Sequence, residues 1–245
     1  MKVKITINGD EHECAGGLVR ARELYELAGC QGERFFINRP DGIDIPLDPT
    51  DVLVIRDGGS FAEGEAPIES NPPPRNEIQF RLNGKPGPSL ARAKITGRKL
   101  KEFDTEHPKG RLFVDISTGP DAEIADDTTV VVQEEDSFFV IPGNGDVEPE
   151  GLIDIEGCGR HGRRPPKGLG YRIRIDREKY PVKGNIITGE QILKLVDRSA
   201  DDWSLNQKMR GGERKRIEPD DIVDISQPGI ERFETVRRQA QQGCV

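Results

Sequence analysis

The 245 residues carry 36 Lys and Arg against 44 Asp and Glu, a formal net charge of −8, and a chain this acidic lacks the basic footprint of a general nucleic-acid binder. No stretch approaches the roughly 18 consecutive apolar residues that a membrane span needs. With 33% hydrophobic residues, 28 Gly and 18 Pro, the chain is too polar for one large core and is expected to split into small domains joined by linkers.

Taken in order, Lys2-Val3-Lys4-Ile5-Thr6-Ile7 alternates polar and apolar residues, the period of a strand with one buried face. Asn8-Gly9 follows as a hairpin turn, because both residues tolerate positive φ. Val19 to Leu24, continuing to Leu27 and Ala28, reads as a short helix with one apolar stripe. Phe35-Phe36-Ile37 is the next strand. Ile45 to Ile55 then gives an aliphatic strand, an acidic turn and a second aliphatic strand, with Phe61 beyond it. Residues 63–75, with Pro72-Pro73-Pro74, read as a linker.

The same order of features returns twice, and a shared order in three places marks an internal repeat. In the second copy, Glu77 to Leu82 precedes Asn83-Gly84, and Thr96-Gly97-Arg98-Lys99-Leu100 opens a helix with Thr96 suited to cap it. Leu112-Phe113-Val114, Ile124 to Val132, and Phe138 or Phe139 complete that copy. A second linker is expected over 142–169, although Leu152 to Ile155 is apolar enough to dock as an edge strand. The third copy runs Tyr171 to Asp176, a charged turn, Thr188-Gly189-Glu190-Gln191-Ile192, Ser204-Leu205-Asn206, Ile217 to Ile225 and Phe233. Ile192, Leu195 and Val196 lie at helical spacing there.

These features give an α+β fold of three ββαββ domains, over 1–62, 76–141 and 170–236, with a C-terminal tail at 237–245. The ββαββ plan resembles ubiquitin and other β-grasp modifiers. The third copy is similar in particular to the bacterial multi-ubiquitin family of tandem ubiquitin-like domains. The residues that carry the likeness are Tyr171 to Asp176, Thr188 to Leu193, Gln207-Lys208-Met209-Arg210-Gly211-Gly212, Ile217 to Ile225 and Gly229 to Phe233. Pro165-Pro166-Lys167 precedes them. The likeness is closest over 165–236, looser over 76–141 and faintest over 1–65. It implies a cytoplasmic protein modifier that acts as a substrate and is not itself an enzyme. An activating enzyme would consume ATP to adenylate it, a conjugating enzyme would receive it, and a JAB-type metallopeptidase would trim it or remove it. The chain itself is expected to bind no cofactor.

The residue on which such a role rests is Gly243. A residue without a side chain can thread a narrow activating channel and bring its carboxylate to the nucleotide. Cys244 and Val245 follow it, so processing after Gly243 would expose the reactive end; the plain alternative is a frayed terminus. Arg210-Gly211-Gly212 resembles a modifier tail but precedes another strand and reads as a turn, as does Asp57-Gly58-Gly59. Leu205, Met209, Ile217, Arg237 and Arg238 are candidates for partner binding, with Ile217 equally suited to a core. Cys158 and His161 have the spacing of two zinc ligands but no second pair to complete a site, so no metal is expected. The four cysteines, Cys14, Cys30, Cys158 and Cys244, show no disulfide framework, and the first residues read as a strand and not as a leader, which fits a reducing compartment. The second reading is a non-covalent scaffold, or a filament, built by self-association of β-grasp units through exposed strand edges.

Overall fold

The computed structural model describes residues 2–30, 34–40, 43–64, 77–117, 119–142, 152–168 and 170–238. Mixed sheets and four helices among these residues make an α+β protein, divided into two compact units, Met1–Val140 and Ile141–Val245.

The first unit begins with β1 (Lys2–Ile7) and β2 (Asp10–Ala15), whose hairpin turns at Asn8 and Gly9 with φ of 54° and 91°. Val3, Ile5 and Ile7 of β1 face inward. β3 (Gly17–Arg20) follows, so Val19 and Arg20, expected as helix, are strand, and α1 (Ala21–Ala28) starts two residues later. Leu24 is buried while Leu27 faces solvent. β4 (Phe35–Ile37), β5 (Ile45–Leu47), β6 (Val52–Ile55) and β7 (Gly59–Glu63) complete a sheet of order β2-β1-β7-β4-β5, with β6 and β3 paired outside it.

The same unit continues with β8 (Arg81–Leu82), β9 (Lys85–Pro86), β10 (Lys94–Thr96), α2 (Gly97–Glu102), β11 (Arg111–Val114), β12 (Ala122–Ile124), β13 (Thr129–Val131) and β14 (Ser137–Ile141). Thr96 Oγ1 accepts from the Lys99 amide at 3.4 Å, as an N-cap should. A Cβ on Gly97 would lie 2.3 Å from the Ala125 carbonyl oxygen, so the first helical residue must be glycine for α2 to sit this close to the acidic turn. The order β9-β8-β14-β11-β12 repeats that of the first sheet.

These two halves are fused. β13 lies parallel to β6, Val130 opposite Val52 and Val131 opposite Leu53, giving one sheet of order β10-β13-β6-β3. Val52, Leu53, Val54 and Ile55 are all buried, as are Val130, Val131 and Val132, because the shared sheet is covered on both faces. Polar contacts surround the join. Lys94 pairs with Asp48 and with Asp51 (2.6 Å), Arg39 with Glu134 (2.8 Å), and Gln133 Nε2 donates to the Val54 carbonyl at 2.8 Å. Arg56 pairs with Asp136, which is fully buried; burial raises the Asp136 pKa, and the guanidinium opposes that rise.

The second unit contains β15 (Ile153–Asp154), α3 (Ile155–Arg160), β16 (Tyr171–Ile175), β17 (Glu178–Val182), β18 (Ile186–Thr188), α4 (Gly189–Lys194), β19 (Trp203–Met209), β20 (Arg214–Ile217), β21 (Ile222–Asp224) and β22 (Ile230–Arg237). Strand order β17-β16-β22-β19-β20 is that of the other two sheets, and β18 pairs with β21 as β3 does with β6. α4 ends before Leu195 and Val196, which are half-buried beyond it, and Ile192 and Leu193 supply its inward face instead.

Residues 152–168, read from sequence as linker, are part of this fold. β15 pairs with the start of β16 as an edge strand, Ile153 opposite Tyr171. α3 fills the space where β16 and β22 diverge, since those two strands pair only at Ile175 and Phe233. Ile153, Ile155 and Cys158 are buried. Buried Glu156 accepts from Arg174 at 2.9 Å and Arg160 at 2.5 Å, and the Tyr171 hydroxyl donates to the Pro166 carbonyl. The other expected connection, 63–75, lies outside the described residues from 65 onward.

Candidate functional site: the base of the C-terminal tail

Residues 230–237 lie in the middle of a sheet. β22 runs between β16 and β19, and Phe233, fully buried, anchors it in the core. The buried aromatic recurs as Phe61 and Phe138; Phe139 is buried too, but it is Phe138 that stands opposite Leu82 and takes the Asn83 amide.

A common fastening accompanies it. The turn residue after the first strand is Asn8, Asn83 or Asp176, with φ of 54°, 54° and 53°. Its amide donates to the carbonyl of Phe61, Phe138 or Phe233. Its side-chain oxygen accepts, at 2.8 to 2.9 Å, from the amide two residues further on, at Glu63, Val140 or Thr235. Sequence reading took Asn-Gly as a turn and missed that the same side chain holds the last strand. The signal was present, in that Asn and Asp are the residues that both adopt this backbone and offer an acceptor.

In the second unit the carboxylate of Asp176 does more than an amide would. It also accepts from Thr235 Oγ1 at 2.8 Å and pairs with Arg198 at 2.5 Å. The Arg198 guanidinium stacks over Trp203, 4.1 Å from the ring centroid. Trp203 in turn stands opposite Arg237, and the Arg238 amide donates to the Asp202 carbonyl at 2.7 Å. Arg237 therefore belongs to β22 and not to the tail. The chain is held by backbone bonds through Arg238, with Arg237 and Arg238 exposed and Val236 half-exposed. Gly243, Cys244 and Val245 lie outside the described residues.

The proposed docking residues separate. Leu205 and Ile217 face each other across β19 and β20 and are 1% and 4% exposed, so they are core and not docking surface. Met209 is half-buried on the rim of a groove of about 620 Å³. Gln207, Lys215, Ile217, Val223 and Asp224 also line it. Burial pushes the Asp224 pKa up, but hydrogen bonds from Ser226, Gln227 and Asn185 outweigh it and hold the carboxyl below the usual carboxylate range.

Gly211 and Gly212, with φ of 88° and 90°, form the turn between β19 and β20. Gly58 is likewise in the turn before β7. Cys158 is buried in α3 among core residues. Among the described residues, Cys14, Cys30 and Cys158 take part in no disulfide. Among the described residues, Asp104, Glu106 and His107 are the one group whose ligand atoms lie within 4.8 Å of one another. Asp104 is itself engaged there by the Glu106 amide at 3.2 Å. No helix among the described residues is long and apolar enough to cross a membrane.

Residues 171–238 match the family model described as Multiubiquitin. The match covers β16 to β22 and ends at Arg238. No curated protein matches the chain.

Proposed function

We propose that the chain is a bacterial ubiquitin-like modifier precursor made of three tandem β-grasp domains, of which the third carries the reactive tail. The observation that carries this is the coincidence, in one unit, of the Multiubiquitin match with a last strand held by backbone bonds through Arg238, five residues before Gly243. A modifier needs a rigid body to be recognised and a tail that can leave it to reach a distant active site.

A JAB-type metallopeptidase cuts after Gly243, removing Cys244 and Val245. An activating enzyme then uses ATP to form the Gly243 acyl-adenylate and expels pyrophosphate. A partner-enzyme cysteine thiol displaces AMP to form a thioester, and the conjugating enzyme receives the acyl group by thiol exchange. A lysine amine then displaces that thiol to give an isopeptide. In this scheme the chain is substrate and not enzyme, in the cytoplasm, and Arg237 and Arg238 are the exposed cations available to its partners. Leu205 and Ile217 act only by keeping the sheet rigid.

Incubating the processed chain with the partner enzymes and ATP is expected to give a thiol-sensitive adduct and then a stable conjugate. Gly243→Val is expected to reduce adduct formation by about 100-fold or more, the scale of effect when a reacting group is misplaced. Equal adduct formation by that variant would remove Gly243 from the mechanism.

A further inference from the structure

We infer that the open edge of β21, with the groove beside it, takes an extended basic strand from a different protein. The surface does not include the tail, so its failure leaves the modifier reading intact.

The edge is defined by its counterparts. β21 corresponds to β6 and β13, since the helix-opening amides of Ala21, Gly97 and Gly189 donate to Asp51, Thr128 and Asp221, immediately before those strands. In the first unit β13 lies parallel along β6, with Val130 opposite Val52. Val52 is 8% exposed there, whereas Ile222, its counterpart, is 74% exposed. Among the described residues β21 pairs only with β18. An unpaired edge presents a row of amides and carbonyls, and the addition of a partner's strand to such an edge is a recurrent mode of recognition.

Charge selects the occupant. Where β6 receives its strand, the Asp51 carboxylate takes the ammonium of Lys94 at 2.6 Å, from β10 on the far side of β13. Asp221 stands at the position of Asp51, and among the described residues its carboxylate accepts from the Glu218 amide alone, at 2.9 Å. Glu213, Asp221 and Asp224 line the groove against one cation, Lys215. The neutral donors Ser226, Gln227 and Asn185 hold Asp224 in its ionised form. Arg214 and Arg216 alternate onto the opposite face of β20, where they pair with Glu234 (3.0 Å) and Glu218 (2.6 Å) and do not offset the acidity of the groove. Met209, Ile217 and Val223 make the lining partly apolar. The complement is a strand that alternates basic and apolar residues. Asp224 stands where the fused edges have buried Val54 and Val131, so the incoming strand meets a charge in place of a core and can leave again.

The probe is a capped peptide of about eight residues alternating lysine and valine, added to the full chain. Fluorescence anisotropy at low salt is expected to give a Kd of about 10 to 100 μM, the range of a small transient contact. Amide exchange at Ile222 to Asp224 should slow when it binds, and the matching glutamate–valine peptide should not bind. Asp221→Asn keeps the acceptor for the Glu218 amide. Combined with Glu213→Gln, it is expected to weaken binding about 10-fold without moving the melting temperature. N-methylating alternate peptide amides should abolish binding in one phase and spare it in the other, because one edge of the peptide faces β21. Failure of the lysine peptide to bind, equal binding of the two peptides, unchanged exchange at β21, or equal binding of the two methylated phases would each overturn the inference. So would a peptide affinity that falls as the protein concentration rises, which would assign the edge to a second copy of this chain.

Discussion

Replacing Gly159 by alanine is expected to destabilise the second unit by about 3 kcal/mol, the upper range for forcing an extra methyl into a packed site. A Cβ there would stand 1.9 Å from the Ile230 carbonyl oxygen and 2.5 Å from its carbon. The obstacle is backbone at the start of the central strand, which cannot turn aside as a side chain would. α3 must therefore lift away from β22, and Ile155 and Cys158 would lose cover as it does. Calorimetry of the full chain is expected to show a lowered transition for the second unit with the first unit's unaffected. Amide exchange at Ile230 to Phe233 should accelerate with it. An unchanged melt would mean that residues 152–168 are a dispensable attachment after all.

Asp176→Ala is expected to cost the same unit about 3 kcal/mol, and Asp176→Asn about 1 kcal/mol or less. Alanine removes both hydrogen bonds to Thr235 and the Arg198 pair, and it must still adopt a φ of 53°, which disfavours any residue with a plain Cβ. Asparagine keeps the acceptor and the backbone preference and forfeits chiefly the partly exposed ion pair, as Asn8 and Asn83 show. Because Thr235 lies three residues before Arg238, the alanine variant should also loosen the base of the tail. Exchange protection at Thr235 to Arg237 is the measurement, and equal protection in the alanine and asparagine variants would contradict this role.

Much of the fold was legible because local chemistry sets it. The Asn-Gly pairs announced two hairpins, and the Thr-Gly pairs announced α2 and α4, with Thr188 Oγ1 accepting from the Gln191 amide at 3.2 Å. What was not legible depended on long-range approach. Residues 152–168 look like a linker because they are rich in glycine, proline and charge. Yet Gly159 is glycine because a strand backbone presses on it, and Glu156 is buried because Arg174 arrives from β16. Composition cannot distinguish these cases.

The placement of Leu205 and Ile217 on a docking face was overturned for a related reason. Alternation along β19 gives two faces, and sequence does not say which one is inside; Leu205 proved to lie on the inner face with Ile217. The fused sheet, by contrast, left a trace. Val52 to Ile55 and Val130 to Val132 are unbroken apolar runs, the mark of strands covered on both faces, whereas Ile222-Val223-Asp224-Ile225 breaks at Asp224. That difference separates the edges that fused from the edge left open.

The most direct test of the central claim is the intact mass of the full chain before and after incubation with its native cell lysate or cognate peptidase. Loss of everything after Gly243, leaving that glycine terminal, is the predicted result. An unchanged C-terminus, under conditions where the peptidase cleaves another substrate, would contradict it.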